Sequence, residues 1–291
     1  MAKSPAPKQP QNILLATDLT AAGDRAFDRA VQLAKEWNAD LTLCHVVEAS
    51  SARPIGIERR IRNVEAEMTE LEARASSVLK RAVPRHVVIG DPAGRVIEHA
   101  RAIKSDFVVT GPAHAKAYGE HLLGSTAARI LRQAHVPVLA VRRRAEGAYK
   151  NIAVSVDFST TSRDAVAATR ALFPAVALTL VHAFDVQPDW SGNSANKSVG
   201  EIEATERARV QRIAEEEMAR LIGKDKSKMK SVMIEGRPGP VLTDYVDERR
   251  PDMVVTGTYS RAGTPEHMIG STAEVLLNTL ACDVLAIRPE E

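Results

Sequence analysis

Residues 106–127 read DFVVTGPAHAKAYGEHLLGSTA, and residues 252–273 read DMVVTGTYSRAGTPEHMIGSTA. The second stretch repeats the first 146 positions later and ends in the same Gly-Ser-Thr-Ala. A further echo lies upstream, where residues 12–18 read NILLATD and residues 151–157 read NIAVSVD. The chain therefore contains two copies of one unit, and the repeat predicts two similar domains.

Composition excludes several classes of protein. The 291 residues include 39 basic and 37 acidic side chains, a net charge of +2 that gives no footprint for nucleic acid or a membrane surface. Cys44 and Cys282 belong to no CxxC pair, so a disulfide framework or zinc ribbon is not expected and a reducing compartment fits. Residues 1–11 predict a disordered polar tail and not a signal peptide, and no apolar run is long enough to cross a bilayer. We expect a cytoplasmic protein.

Short apolar runs alternate with helical periodicity in both copies, which predicts the order β-α-β-α-β-α-β-α-β. This order favours a parallel sheet with helices on both faces. We expect domain 1 at 12–143, a linker at 144–150 and domain 2 at 151–291. The strands predicted in copy one are Ile13–Ala16, Leu41–Val47, His86–Ile89, Phe107–Thr110 and Val138–Val141, and its helices are Ala21–Trp37, Ile57–Val78, Val96–Ile103 and Ser125–Gln133.

The ends of two strands carry the candidate site. The first strand of each copy ends in an acid, Asp18 or Asp157, and the fourth ends in a glycine, Gly111 or Gly257. The loop after the glycine returns to Gly-Ser-Thr at a helix start, where free backbone N–H groups suit a phosphate. Parallel sheets bind ligands beyond these strand ends. The alternative is a Ser/Thr N-cap after a glycine turn, which needs no ligand.

These patterns resemble the universal stress protein family, whose nucleotide-binding members carry Gly-x2-Gly-x9-Gly-(Ser/Thr) after the fourth strand. The resemblance extends to the acid after strand one, to His45-Val46 after strand two and to PVLAVR at 137–142. It covers nearly the whole chain in two copies. It implies an α/β fold with two tandem doubly wound five-stranded parallel sheets of order 3-2-1-4-5, related by a pseudo-two-fold, with Asp18 facing Gly111.

The resemblance also implies ATP or a related nucleotide as the ligand. The acid and the main chain after strand two would hold the adenine and ribose, and the glycine loop with Gly-Ser-Thr would hold the phosphates. The residues in these roles are Asp18, Val46, Gly111, Gly124, Ser125 and Thr126 in copy one, and Asp157, Ala183, Gly257, Ser260, Arg261, Gly270, Ser271 and Thr272 in copy two.

Both copies depart from the family motif at its second glycine. Copy one has His114 there, which restricts close approach of the backbone to a phosphate, and Pro112 lacks an N–H. Copy two has the smaller Ser260, and the neighbouring Arg261 offers a cation to a phosphate. We expect copy two to bind nucleotide better than copy one.

The sequence leaves three functions open. A scaffold for an unknown protein partner that has lost nucleotide binding and a slow ATP hydrolase are the alternatives to a nucleotide-responsive module, and no motif demands an enzyme. His121 and His267 occupy equivalent positions. They could contact phosphate, bind a metal or be loop residues without a ligand, whereas His45 and His182 are expected to be structural.

The last strand of each copy is expected to lie at the edge of its sheet. In the family these strands form the dimer contact, so Val138–Val141 and Val284–Ile287 are expected to pair the copies within one chain, and a homodimer also fits the resemblance. Asp283, at the position of Pro137, is expected at the exposed end of this pair.

Overall fold

The structure, a computed structural model, describes residues 9–48, 54–111, 125–186, 198–225, 227–258 and 271–288. Its elements follow the predicted order in each copy. Copy one contains β1 (Asn12–Ala16), α1 (Ala21–Trp37), β2 (Asp40–Val47), α2 (Pro54–Leu79), β3 (Arg85–Ile89), α3 (Pro92–Ala102), β4 (Phe107–Thr110), α4 (Ser125–Gln133) and β5 (Val138–Ala140). Copy two contains β6 (Ile152–Ser155), α5 (Thr160–Leu172), β7 (Leu178–Phe184), α6 (Val199–Ile222), β8 (Met229–Glu235), α7 (Pro238–Arg249), β9 (Met253–Gly257), α8 (Ser271–Thr279) and β10 (Asp283–Ile287).

The ten strands form one continuous sheet in the order β3-β2-β1-β4-β5-β10-β9-β6-β7-β8. Each half has the predicted order 3-2-1-4-5 with parallel pairing, which confirms the doubly wound fold. The predicted pairing of the two edge strands joins the two five-stranded sheets into one. The two apolar core layers, one on each face, likewise contain residues of both copies, because the sheets are aligned edge to edge.

The junction is an antiparallel pair of β5 and β10, as predicted for these two edges. Leu139 pairs with Leu285, its own equivalent in the repeat, and both side chains are fully buried. On either side Val138 pairs with Ala286 and Ala140 with Val284. This register places a pseudo-two-fold between the two leucines.

The prediction that Asp283 lies at an exposed end is wrong. Its side chain is 1 % exposed, and Oδ1 accepts hydrogen bonds from the main-chain N–H groups of Arg142 (2.7 Å) and Arg143 (3.0 Å). Oδ2 accepts from the Tyr149 hydroxyl at 2.6 Å and lies 3.7 Å from Nε of Arg29. The reason is that the linker folds back over the start of β10 and covers this position.

The same linker ties α1 to copy two. Nη1 of Arg29 donates to Gly147 O at 2.8 Å, and the guanidinium lies 4.0 Å from the centre of the Tyr149 ring. Trp37, the last residue of α1, donates its indole N–H to Leu172 O of α5 at 3.1 Å. The predicted polar linker is therefore packed between the copies.

Several predicted boundaries differ from the structure for local reasons. Helix α3 begins at Pro92, earlier than the predicted Val96, because proline fits the first helical turn, and Asp91 caps it through Gly94 N. Helix α7 likewise begins at a proline, Pro238. Of the predicted tail, residues 1–8 lie outside the described part, whereas Gln11 N donates to Asp106 Oδ2 at 2.8 Å. Among the described residues, no helix is both long and apolar enough to cross a membrane.

Candidate functional site

The candidate site lies where β1 and β4 end side by side. Ala16 pairs with Thr110, so Asp18 and Gly111 follow at the same edge of the sheet. In copy two β6 and β9 pair in the same way, and they bring Asp157 and Gly257 to the corresponding edge. Since β2 and β7 lie on the other side of β1 and β6, this is the point where strand order reverses.

The two acids hold the turn into the first helix of each copy. Asp18 Oδ1 accepts from the main-chain N (3.1 Å) and hydroxyl (2.7 Å) of Thr20, which is the N-cap of α1. Asp157 Oδ1 does the same for Ser159, the N-cap of α5, at 3.0 and 2.5 Å. Each acid therefore has a structural role whether or not a ligand binds.

The residue between the acid and the helix N-cap has a left-handed backbone conformation in both copies. Leu19 has φ 59° and Phe158 has φ 61°, a conformation that is uncommon for residues other than glycine. The hydrogen bonds of the preceding acid stabilise this turn. Replacing the acid would therefore disturb this turn whether or not a ligand binds.

The glycines after the fourth strand allow close packing against the first turn of a helix. A Cβ on Gly111 would lie 3.4 Å from Ala22 O of α1. A Cβ on Gly257 would lie 2.7 Å from Cγ2 of Thr161 in α5 and 3.2 Å from its carbonyl oxygen. Packing alone therefore requires a glycine in copy two, whereas a Cβ on Gly111 would make an ordinary van der Waals contact.

His45 and His182 fix the main chain just beyond the first strand, which confirms their structural role. Nδ1 of His45 lies 2.9 Å from Thr17 O, and Nδ1 of His182 lies 2.7 Å from Val156 O. Because a carbonyl only accepts, Nδ1 carries the proton in both rings. Burial lowers the pKa of both histidines below the ordinary value, against the opposing effect of these hydrogen bonds, so both favour the neutral form.

Val46 and Ala183 lie within β2 and β7. The resemblance had placed them after the second strand. Pairing with the third strand continues past them, because Val47 pairs with Ile89 and Phe184 with Glu235. Their main-chain groups nevertheless point toward the crevice. In copy one Thr17 N donates to Cys44 O, so the residue two positions on, Val46, turns its N–H and C=O to the same side, beyond the end of β1.

Copy two has the same arrangement of main-chain groups. Val156 N donates to Val181 O at 2.9 Å, and Ala183 follows two residues later. A main-chain N–H and C=O directed to this side can hydrogen-bond to the edge of a flat polar ring.

Several of the residues predicted to hold phosphates lie outside the described residues. Thr126 is half-buried in the first turn of α4. Ser125, Ser271 and Thr272 open α4 and α8, but their side chains are not described. The predicted residues His114, His121, Gly124, Ser260, Arg261, His267 and Gly270 lie outside the described part.

The turn after the third strand differs in charge between the copies, which the sequence analysis missed. Asp91 forms a two-point ion pair with Arg129 of α4, with N–O distances of 2.6 and 2.8 Å. In copy two these positions are Arg237, which is exposed and gives no side-chain cap to α7, and Val275 of α8. A Cβ on Gly239 would lie 2.9 Å from Val275 Cγ1, so the start of α7 packs directly on α8.

Aromatic side chains distinguish the copies near the second strand. Phe158 and His182 have ring centres 4.3 Å apart, and His182 stacks on Phe184 at 6.3 Å. Copy one has Leu19 and Val47 at the two phenylalanine positions. The echo of NILLATD in NIAVSVD could have revealed this difference, because it aligns the residues that follow each acid.

Neither cysteine is placed for chemistry. Cys44 and Cys282 are free and buried, and burial raises the pKa of each thiol to about 12. Within the described ranges, no group of three His, Cys, Asp or Glu side chains could hold a metal ion.

A family model described as the universal stress protein family matches residues 10–142 and again residues 148–288. The chain belongs to the universal stress protein family. Universal stress protein A homolog 1 of Coxiella burnetii is 35 % identical over 142 residues, which are 45 % of this chain and 95 % of that protein. A universal stress protein of Methanocaldococcus jannaschii is 26 % identical over 140 residues, 46 % of this chain and 82 % of its own length.

A solved structure shows the same fold at full length. The crystal structure of a universal stress protein from Archaeoglobus fulgidus matches with a TM-score of 0.70 and 18 % identity, and the match covers 96 % of this chain and 98 % of that one. The tandem arrangement of universal stress protein domains is therefore shared over the whole chain.

Proposed function

We propose that this tandem universal stress protein is a cytoplasmic stress-response protein that binds ATP or a related nucleotide, with copy two as the better site. The main support is the crevice at the strand-order reversal, where Ala183 turns its main-chain N–H and C=O toward the space beside Asp157. A nucleobase can hydrogen-bond to these groups, and an acid beside them suits ribose hydroxyls. The ligand class is a small molecule, and we propose no nucleic acid or membrane partner.

Charge favours copy two for an anionic ligand. In copy one Arg129 is neutralised by Asp91, so this pair adds no net positive charge beside α4. In copy two the position of Asp91 is Arg237, next to the contact of α7 with α8. A guanidinium there raises the potential for phosphate at the same edge as the Gly-Ser-Thr segment.

A protein-interaction scaffold is the second candidate, and the altered second glycine of the motif favours it. His114 and Ser260 both restrict the close backbone approach that glycine allows. Slow ATP hydrolysis is the third, and no described residue is placed as its base.

Calorimetry with ATP on two matched variants tests the proposal. Gly270→Val crowds the Gly-Ser-Thr segment of copy two and should abolish binding, whereas Gly124→Val makes the same change in copy one and should alter the affinity less than twofold. Equal losses in both variants would refute the difference between the copies. Absence of binding by the wild type would leave the scaffold as the function.

A further inference from the structure

The strands that join the copies are each followed by an arginine that crosses to the other copy. Arg142 follows β5 and Arg288 follows β10, at equivalent positions of the repeat. Arg288 donates from Nη1 to Ala134 O at 2.8 Å and from Nη2 to Arg132 O at 2.6 Å, at the C-terminal end of α4. Arg142 donates from Nη2 to Leu277 O in the last turn of α8. The two contacts form a reciprocal pair about the pseudo-two-fold.

These carbonyl oxygens are the groups that most need a donor. The last four C=O groups of a helix have no partner within it, and the helix end carries partial negative charge. A guanidinium satisfies several of them at once and complements that charge. Arg142 is only 5 % exposed, so water competes little for its contact with Leu277 O. Asp283 fixes the arginine in place by accepting the Arg142 main-chain N–H.

The two helices held in this way are the ones that begin with Gly-Ser-Thr. Each has nine residues and is about 13 Å long, so an anchor at its C-terminal end also sets the position of its first turn. A direct ion pair joins them as well, with Arg132 Nη2 of α4 at 2.9 Å from Glu274 Oε1 of α8. Neither helix is fixed by its own copy alone.

We infer that Arg142 of copy one is a positioning residue for the nucleotide site of copy two, and that Arg288 has the reciprocal role for copy one. Each arginine acts through the helix that it caps and does not touch the ligand. The inference rests on the proposed function for its ligand, but the capping contact can be tested separately. It assigns to the tandem arrangement a part in building the site, since copy two lacks one of its supports without copy one.

Variants of the full chain separate this role from general loss of stability. Arg142→Met and Arg288→Met each remove one cross-copy contact, so both should lower the melting temperature. We expect only Arg142→Met to weaken ATP binding, by about tenfold, and Arg288→Met to leave the affinity within twofold. Arg142→Lys keeps the charge and N–H donors but loses the planar guanidinium, so its ATP affinity should lie between those of the wild type and Arg142→Met.

Hydrogen exchange gives a readout that does not depend on ATP. Arg142→Met should speed amide exchange in α8, and Arg288→Met should speed it in α4. Unchanged ATP affinity in Arg142→Met, or unchanged amide exchange in α8 of Arg142→Met and in α4 of Arg288→Met, would overturn the inference. If the wild type binds no ATP, the proposed function fails, and the positioning role fails with it even where the exchange pattern confirms the contact.

Discussion

Copy one and copy two share strand order, and both place an acid and a glycine at the switch point, but they differ where each meets the linker. Pro137 precedes β5 in copy one. The equivalent residue of copy two is Asp283, which begins β10 and is buried against the linker and against Arg29 of α1. The pseudo-two-fold is therefore broken by the single connection between the copies, which can cover only one of the two equivalent positions. One linker thus makes the equivalent positions Pro137 and Asp283 differ in their surroundings.

The largest expected effect is at this unequal position. Asp283→Ala should lower the free energy of unfolding by about 3–5 kcal/mol, because it leaves the buried Arg29 without its carboxylate and orphans the Tyr149 hydroxyl. Urea unfolding measures it.

Asp252 provides a matched control. Its Oδ2 also accepts two consecutive main-chain N–H groups, from Lys150 (2.7 Å) and Asn151 (2.9 Å), but the site is open to water. Asp252→Ala should cost about 1–2 kcal/mol, since water replaces the lost partner. Similar losses of unfolding free energy in both variants would show that the burial of Asp283 adds nothing to its contribution to stability.

Acid should destabilise the fold of copy one more than that of copy two. Burial lowers the pKa of His45, His99 and His182, and the nearby His86 lowers that of His99 further. The equivalent of His99 in copy two is Tyr245, so among the described residues copy one has two such histidines and copy two has one.

The direction follows from proton linkage. Because the folded pKa values lie below the unfolded value of about 6.5, the unfolded chain binds more protons in acid. Stability is complete above that pH and falls below it, by at most about 1.4 kcal/mol per pH unit for each histidine. His99→Gln should flatten the fall in urea unfolding free energy between pH 7 and 5. A slope parallel to that of the wild type would contradict the assignment.

The smallest effect is expected at the turn after the third strand. Asp91 caps α3 and pairs with Arg129, whereas Arg237 leaves α7 without a side-chain cap. Arg237→Asp should stabilise the protein by about 0.5–1 kcal/mol, because it supplies the missing cap and an acid at a helix N-terminus. Asp91→Ala should cost about 1 kcal/mol. Thermal melting compares the two, and destabilisation by Arg237→Asp would show that the turns are not equivalent.

Much of this fold follows from short-range patterns in the sequence. The bounds of α1, β4 and α4 could be predicted because apolar periodicity, buried strand runs and Gly-Ser-Thr mark them locally. Strand order and the pairing of β5 with β10 came from the family resemblance. The predicted start of α3 at Val96 is too late, because apolar periodicity does not include Asp91-Pro92, which fits an N-cap followed by proline.

The burial of Asp283 could not be predicted in this way. Nothing near it in sequence indicates that Tyr149 and Arg29, from the linker and the first helix, enclose it. Similarly, the two arginines that follow β5 and β10 look like ordinary surface residues at strand ends until the helices of the opposite copy are in place. Contacts across the repeat depend on the register of one strand pair.

The position of β10 at the centre of the sheet has a consequence for synthesis of the protein. It is made after the other strands of copy two, yet it covers the edge of β5, which belongs to copy one. At about 5–20 residues per second, a ribosome takes on the order of 10 s to add copy two. During that interval β5 presents an open edge, the kind of surface that pairs with other chains. Arg29 likewise lacks its carboxylate partner until Asp283 has been added.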